Sequence, residues 1–215
     1  DIKLIDEAVL RILTLKFKLG LFENPYTDRE LVKLIHNKEA VDLAREMDEE
    51  AILLLKNDGM LPLDEKKVGK VAVIGNNAKN STLGNYILHT ENCVSFYQGM
   101  VDRLGKENVL YARGCNPLTY TDEMIAEAVE TAKQADTVFL VIGDCNATGG
   151  GVPGLEEDAD IKYETTVGEG YDVHDLNLTP SQQRLFDAIT ALNKPTLLVF
   201  YGGRPYSLEE DVKKV

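Results

Sequence analysis

The chain has 215 residues, 44% of them apolar, and carries 36 acidic against 23 basic side chains for a formal net charge of −13. That length and apolar content suit one large globular domain, or one domain with an appendage, and the acidity argues against nucleic acid or an anionic membrane surface as a partner. No run of about eighteen apolar residues occurs, so no segment reads as a membrane-spanning helix, and the polar opening DIKLIDEAVLRIL does not read as a signal peptide.

Residues 3–19, KLIDEAVLRILTLKFKL, place Leu4, Ile5, Ala8, Val9, Ile12, Leu13, Leu15 and Phe17 near helical spacing, and Gly20 is a natural helix stop. LFENPYTD then reads as an irregular strap. Residues 38–57 read as a second amphipathic helix, with Ala40, Leu43, Ala44, Met47, Ala51, Leu54 and Leu55 on one face. After the turn DGMLPLD an alternation begins. KVAVIG (70–75) is a strand, GMVDRLG (99–105) closes a short helix, and NVLYARG (108–114) is a second strand. Residues 121–135 form a helix with Thr121 or Asp122 as cap, and TVFLVIG (137–143) is a third strand, apolar throughout. Residues 179–193 form a helix with Thr179 as cap and Pro180 at its first position, and PTLLVFYGG (195–203) is a fourth strand.

Apolar strands alternating with helices predict an α/β fold, a three-layer αβα sandwich around a mostly parallel sheet covered on both faces. Such sheets ordinarily run to further strands, so this one is expected to continue beyond Val215. Ligands of these folds gather beyond the carboxyl ends of the strands. Three of those ends carry glycine-linked loops, IGNNAKN, IGDCNATGGG and YGGRP.

The three cysteines, Cys93, Cys115 and Cys145, are odd in number and form no CxxC pair, which speaks against a disulfide framework or a zinc site. They read as inert thiols, and they favour a soluble, cytoplasmic setting over a secreted one. GNNAKN (75–80) follows a strand as a phosphate loop would, but it lacks the remaining glycines of a dinucleotide fingerprint and the Gly-Lys-Ser/Thr of a P-loop. The sequence calls for no cofactor and no metal.

Residues 143–175, GDCNATGGGVPGLEEDADIKYETTVGEGYDVHD, stand out, because loops longer than about a dozen residues are uncommon in compact domains and often functional. The carboxylates lack the spacing of a calcium-binding loop. A solvated flap and a carboxyl presented to a ligand both remain open. Glu169 lies between Gly168 and Gly170, on backbone able to turn sharply and approach a ligand. A carboxyl used as a general acid also needs partial burial. His36, His89 and His174 are isolated; His89 and His174 lie in loops within reach of a substrate, although a structural role is the commoner fate of such residues.

Taken in order, these segments resemble glycoside hydrolase family three. AVLRILTLKFKLGLFENPY looks like the stretch leaving that family's N-terminal barrel, and AREMDEEAILLLKNDGMLPL looks like the opening of its second domain. KVAVIGNNAKNSTLGNY, VLYARGC, ADTVFLVIG, GEGYDVHDLNLTPSQQRLFDAI and KPTLLVFYGGRPYSL follow in the family's order, so the resemblance covers nearly the whole chain. It implies an interdomain linker with an N-terminal helix over residues 1–36 and a sandwich domain over residues 37–215. It also implies a retaining, exo-acting β-glycosidase of β-glucosidase or β-xylosidase type, acting on an oligosaccharide or other glycoside. The nucleophile, an aspartate, would lie on the preceding barrel of the same parent chain, which is not in these residues, so the 215-residue chain alone is expected to be inactive. The acid/base glutamate would be Glu169, with Glu164 the second candidate and Glu156 and Glu157 behind it; Asp172 and His174 would contact substrate. Val173 stands where the family often carries an arginine. Neither the sugar nor the assembly is specified, and an oligomer remains open. Two other readings compete: a non-catalytic module binding carbohydrate or a partner domain, and a nucleotide-binding or flavodoxin-like domain.

Overall fold

A computed structural model of the chain describes residues 1–79, 93–146 and 164–215. It divides into two compact units, Asp1–Leu55 and Lys56–Val215.

The first unit holds helices α1 (Ile2–Lys18) and α2 (Lys38–Ala51). Asp1 caps α1 by accepting from the Lys3 N–H. At the other end Gly20, with φ +66°, donates to the Phe17 carbonyl while Leu21 donates to that of Lys16, the paired bonds of a Schellman motif. The expected glycine stop is therefore present. α2 starts at the expected residue, with Asn37 accepting from Ala40 N–H at 2.8 Å, but ends six residues before Asn57. Its last turn carries Glu49 and Glu50 and no base, charges of the wrong sign for a helix carboxyl end, and Ile52 is already extended. Neither helix buries a side chain, and Leu4, Ile5, Val9, Ile12 and Phe17 all lie open on α1.

The second unit is the predicted sandwich. Strands β1 (Val71–Ile74), β2 (Val109–Ala112), β3 (Thr137–Gly143) and β4 (Thr196–Tyr201) form an all-parallel sheet in the order β2-β1-β3-β4. Helices α3 (Phe96–Leu104), α4 (Asp122–Lys133) and α5 (Pro180–Thr190) lie on its faces. Side chains alternate along the strands: Ala72, Ile74, Val138, Leu140 and Ile142 point to a core shared with Ile125, Ala128 and Ala132 of α4 and Leu185, Phe186 and Ile189 of α5. Val71, Val73, Phe139 and Val141 point the other way, toward Phe96, Tyr97, Met100 and Val101. With both faces covered, continuous apolar runs are what such strands require. Leu185, Phe186 and Ile189 are fully buried, each worth about 1.5–3 kcal/mol on the transfer scale. The helix caps are those the sequence offers: Thr121 accepts from Met124 N–H, and Thr179 from Gln182 N–H, ahead of Pro180.

The strand order reverses between β1 and β3. Connections leave the sheet there in opposite directions, opening a crevice at the carboxyl ends of these two strands. Gly75, Asn76 and Asn77 follow β1 at this end of the sheet, and Gly143 and Asp144 stand at the end of β3.

Candidate active-site loop

The loop is built outward from the end of β3. Gly143 has φ +130°, and a Cβ there would fall 2.0 Å from the Tyr201 carbonyl oxygen, so only glycine fits. Its N–H donates to Gln182 Oε1 at 2.9 Å and its carbonyl accepts from Gln182 Nε2 at 3.0 Å, all buried. The next N–H, of Asp144, donates to the Tyr201 carbonyl at 2.7 Å, and the Asp144 carbonyl accepts from Asn77 Nδ2 at 2.8 Å.

The Asp144 carboxylate is 2% exposed. A buried charge persists only when it is well compensated. Here Oδ1 accepts from the Tyr206 hydroxyl at 2.5 Å and from Thr166 Oγ1 at 2.9 Å. Oδ2 accepts from Gly203 N–H at 3.0 Å, and Arg204 Nε lies 3.8 Å away as a looser ion pair. Burial first, then the bond and charge of Asp144, push the Tyr206 phenol above the ordinary tyrosine range. Arg204 Nη2 also donates to the Thr166 carbonyl at 2.8 Å, and the Thr166 N–H donates to the Cys145 carbonyl at 2.8 Å. Thr165 and Thr166 are buried, so the chain re-enters this crevice firmly pinned.

Three residues further on the backbone folds over. Tyr171 N–H donates to the Gly168 carbonyl at 3.1 Å, closing a four-residue turn with Glu169 second and Gly170 third. Gly170 has φ +80°, the positive value that position takes in a type II turn. Glu169 therefore stands exposed at the tip, and among the described residues its carboxylate has no hydrogen-bond or ion-pair partner. The outgoing stem is tied as well: Asn177 N–H donates to Asp175 Oδ1 at 3.0 Å, Ser207 N–H donates to the Leu176 carbonyl at 2.9 Å, and Leu178 is buried. The Asn177 hydrogen bonds, chiefly the backbone one, hold the Asp175 carboxyl below its ordinary value, with a smaller contribution from His174.

The other candidate residues fall in different places. Glu164 is half-buried and committed: its carboxylate accepts from Leu118 N–H at 2.5 Å, from Thr119 N–H at 2.9 Å and from the Thr119 hydroxyl. Asp172 and His174 are exposed on the outgoing side of the turn, and Asp172 Oδ1 accepts from Val173 N–H at 2.8 Å. His36 is exposed near the end of a short 3₁₀ turn, Arg29–Leu34, with φ +58°. His89, Glu156 and Glu157 lie outside the described residues. Cys115 is buried; burial first, and then the charge of Glu164, push its thiol up to about 12, so it is inert at neutral pH. Thr166, Arg204 and Tyr206 were not among the sequence candidates. Of the three, Arg204 lies within the glycine-linked YGGRP (201–205) after β4, with Tyr206 directly following it. Val173 stands at the position of the expected arginine, and a guanidinium from a different strand end, that of Arg204, reaches the described part of this loop at Thr166.

The model of the glycosyl hydrolase family 3 C-terminal domain matches residues 52–215. A beta-xylosidase of Formosa agariphila is 36% identical, with the match covering 96% of this chain and 28% of that protein. A periplasmic beta-glucosidase of Salmonella typhimurium is 29% identical over 96% of this chain and 29% of its own length. Among solved structures, a beta-glucosidase from Listeria innocua in complex with isofagomine superposes with a TM-score of 0.80 at 26% identity, covering 99% of this chain and 27% of that one. The chain spans less than a third of the length of each of these proteins.

Proposed function

The chain belongs to the glycosyl hydrolase family 3 C-terminal domain family, and on that premise we propose that it supplies the acid/base carboxyl of a retaining, exo-acting β-glycosidase, with Glu169 in that role. The observation that carries this reading is the turn Gly168–Tyr171, which holds a glutamate with no hydrogen-bond or ion-pair partner among the described residues at the tip of a loop pinned beyond the carboxyl ends of β3 and β4. Retaining glycosidases use two carboxyl groups about 5–5.5 Å apart on either side of the scissile bond. Glu169 protonates the leaving-group oxygen in the first step and removes a proton from the attacking water in the second. The nucleophile, an aspartate, comes from a barrel domain preceding this one in the parent protein. The exposed apolar faces of α1 and α2 fit burial against such a neighbour.

A general acid needs partial burial to keep its proton near working pH. Bound sugar and the barrel supply that cover over the open tip. Glu164 is the weaker candidate, since acting as the acid would release the three hydrogen bonds that tie it to residues 118 and 119. On this reading Asp172 and His174, exposed just past the turn, hydrogen-bond sugar hydroxyls. The substrate is a terminal β-linked sugar of glucose or xylose type.

The test is Glu169→Gln in the full-length enzyme. A drop of roughly 10²–10⁴-fold in kcat/KM is expected on an alkyl β-glycoside, whose leaving group needs a proton, and little change on a dinitrophenyl glycoside, whose leaving group does not. Azide should accelerate turnover of the activated substrate and yield the β-glycosyl azide. Wild-type activity on the alkyl glycoside would move the role away from Glu169.

A further inference from the structure

We propose that Asp144 is a positioning residue for Glu169: its buried charge gathers three separate strand-end segments and so sets where the acid/base turn stands. This rests on the reading of Glu169 as the acid/base. The three segments are the end of β3 itself, the incoming stem at Thr165–Val167, and the stretch Gly203–Tyr206 after β4. One carboxylate joins them, through Thr166 Oγ1 at 2.9 Å, Gly203 N–H at 3.0 Å and Tyr206 Oη at 2.5 Å.

Its orientation is itself fixed. The Asp144 backbone is held at its N–H by Tyr201 and at its carbonyl by Asn77, so the side chain has little freedom to follow a moving loop. Arg204 closes the arrangement, donating to the Thr166 carbonyl at 2.8 Å while its Nε faces Asp144 Oδ2. The fit is close at the backbone too: a Cβ on Gly203 would meet Val167 Cγ2 at 3.3 Å, so glycine lets the stem lie against this segment. Thr166 is three residues from Glu169, and only Val167 stands between it and Gly168, the first residue of the closed turn. A displacement of the stem therefore reaches the tip with little chain in between to absorb it. Misplacement of a catalytic group by about 1 Å costs on the order of 10²-fold in rate.

The hydrogen bonds to a buried charge are of the strong, directional kind. Asp144→Asn keeps the shape but loses the charge, and its amide presents a donor toward groups that already donate. Tyr206→Phe removes a single bond and leaves the carboxylate in place.

The experiment compares Asp144→Asn, Tyr206→Phe and the double variant with Glu169→Gln in the full-length enzyme. Each is assayed for kcat/KM on an alkyl β-glycoside and on a dinitrophenyl β-glycoside, with the active fraction counted by a mechanism-based inactivator. Asp144→Asn is expected to lose tenfold or more on the alkyl glycoside and less than threefold on the dinitrophenyl glycoside, per active site. Tyr206→Phe should show the same skew, smaller, and the double variant should be no worse than Asp144→Asn alone. A merely structural defect lowers both substrates by the same factor, and that result overturns the proposal. If Asp144→Asn does not fold, the skew in Tyr206→Phe decides. Glu169→Gln separates the two failures. If it behaves as an acid/base variant while neither clamp variant is skewed, only the positioning role falls. If Glu169→Gln is fully active on the alkyl glycoside, the reading on which the proposal rests falls with it.

Discussion

Gln182 and Gly143 exchange two hydrogen bonds, the side-chain amide of one taking both the N–H and the carbonyl of the other at 2.9 and 3.0 Å. β1 ends at Ile74, whereas β3 runs on to Gly143, paired only with β4 at that level. Gln182, from the first turn of α5, acts there as a one-residue strand and leaves no buried backbone group of Gly143 unpaired. Gln182→Ala should destabilise the domain by about 2–6 kcal/mol, with two buried backbone groups stranded at about 1–3 kcal/mol each. The shift in urea midpoint at unchanged slope measures it. A loss below about 0.5 kcal/mol, the range of an ordinary surface change, would contradict the pairing.

The alkaline side of the stability profile should carry the signature of Cys115. Its thiol is held up to about 12 in the folded chain, against about 8.5 for an unfolded cysteine. A group raised on folding contributes stability that is complete below its unfolded value and lost as pH climbs toward its folded value. Unfolding free energy should therefore fall more steeply between about pH 8.5 and 12 in the wild type than in Cys115→Ala, by at most about 1.4 kcal/mol per pH unit. Thiol labelling of the native protein at about pH 8.5, the ordinary cysteine value, should spare Cys115 until denaturant is added. Rapid native-state labelling of that residue is the contrary outcome.

Two glycines at positive φ should respond in opposite ways. A Cβ at Gly170 meets nothing within 4 Å, so only the backbone of the turn is strained, by roughly 1–2 kcal/mol. Gly170→Ala in the full-length enzyme should lower the unfolding free energy by no more than that roughly 1–2 kcal/mol and lower kcat/KM on an alkyl glycoside about tenfold, the equivalent of 1.4 kcal/mol. Gly143→Ala drives a methyl to 2.0 Å from the Tyr201 carbonyl oxygen and should prevent stable folding, with a loss above about 4 kcal/mol. Equal stability losses for the two would show that the turn is not held as described.

The 215-residue chain by itself should not turn over nitrophenyl β-glucoside or β-xyloside above the buffer rate. On the proposed reading Glu169 is one carboxyl of a pair, and the chain spans less than a third of the length of the relatives it matches. Turnover by the purified chain that disappears in Glu169→Gln would contradict the shared-site reading.

The sandwich was legible because its signals are local. Each strand is apolar nearly throughout, and Thr121, Thr179 and Gly20 mark their helix ends within a few residues. The clamp was not legible, for the opposite reason. Thr166 and Tyr206 lie 22 and 62 residues from Asp144, and no periodicity or spacing pairs residues at such distances. Glu164 illustrates the same limit: read along the chain it was a loop carboxyl available for chemistry, and its partners, Leu118 and Thr119, lie on another segment. α2 stopped short because the apolar pattern outruns the charges of its last turn.

The short stretch from Gly203 to Ser207 holds both legs of the Glu169 loop, Thr166 on one side and Leu176 on the other. Support and payload are thereby separated in the sequence. Between the legs, positions other than Glu169 and the glycines of its turn can be exchanged by an engineer without touching the groups that hold the loop at either end.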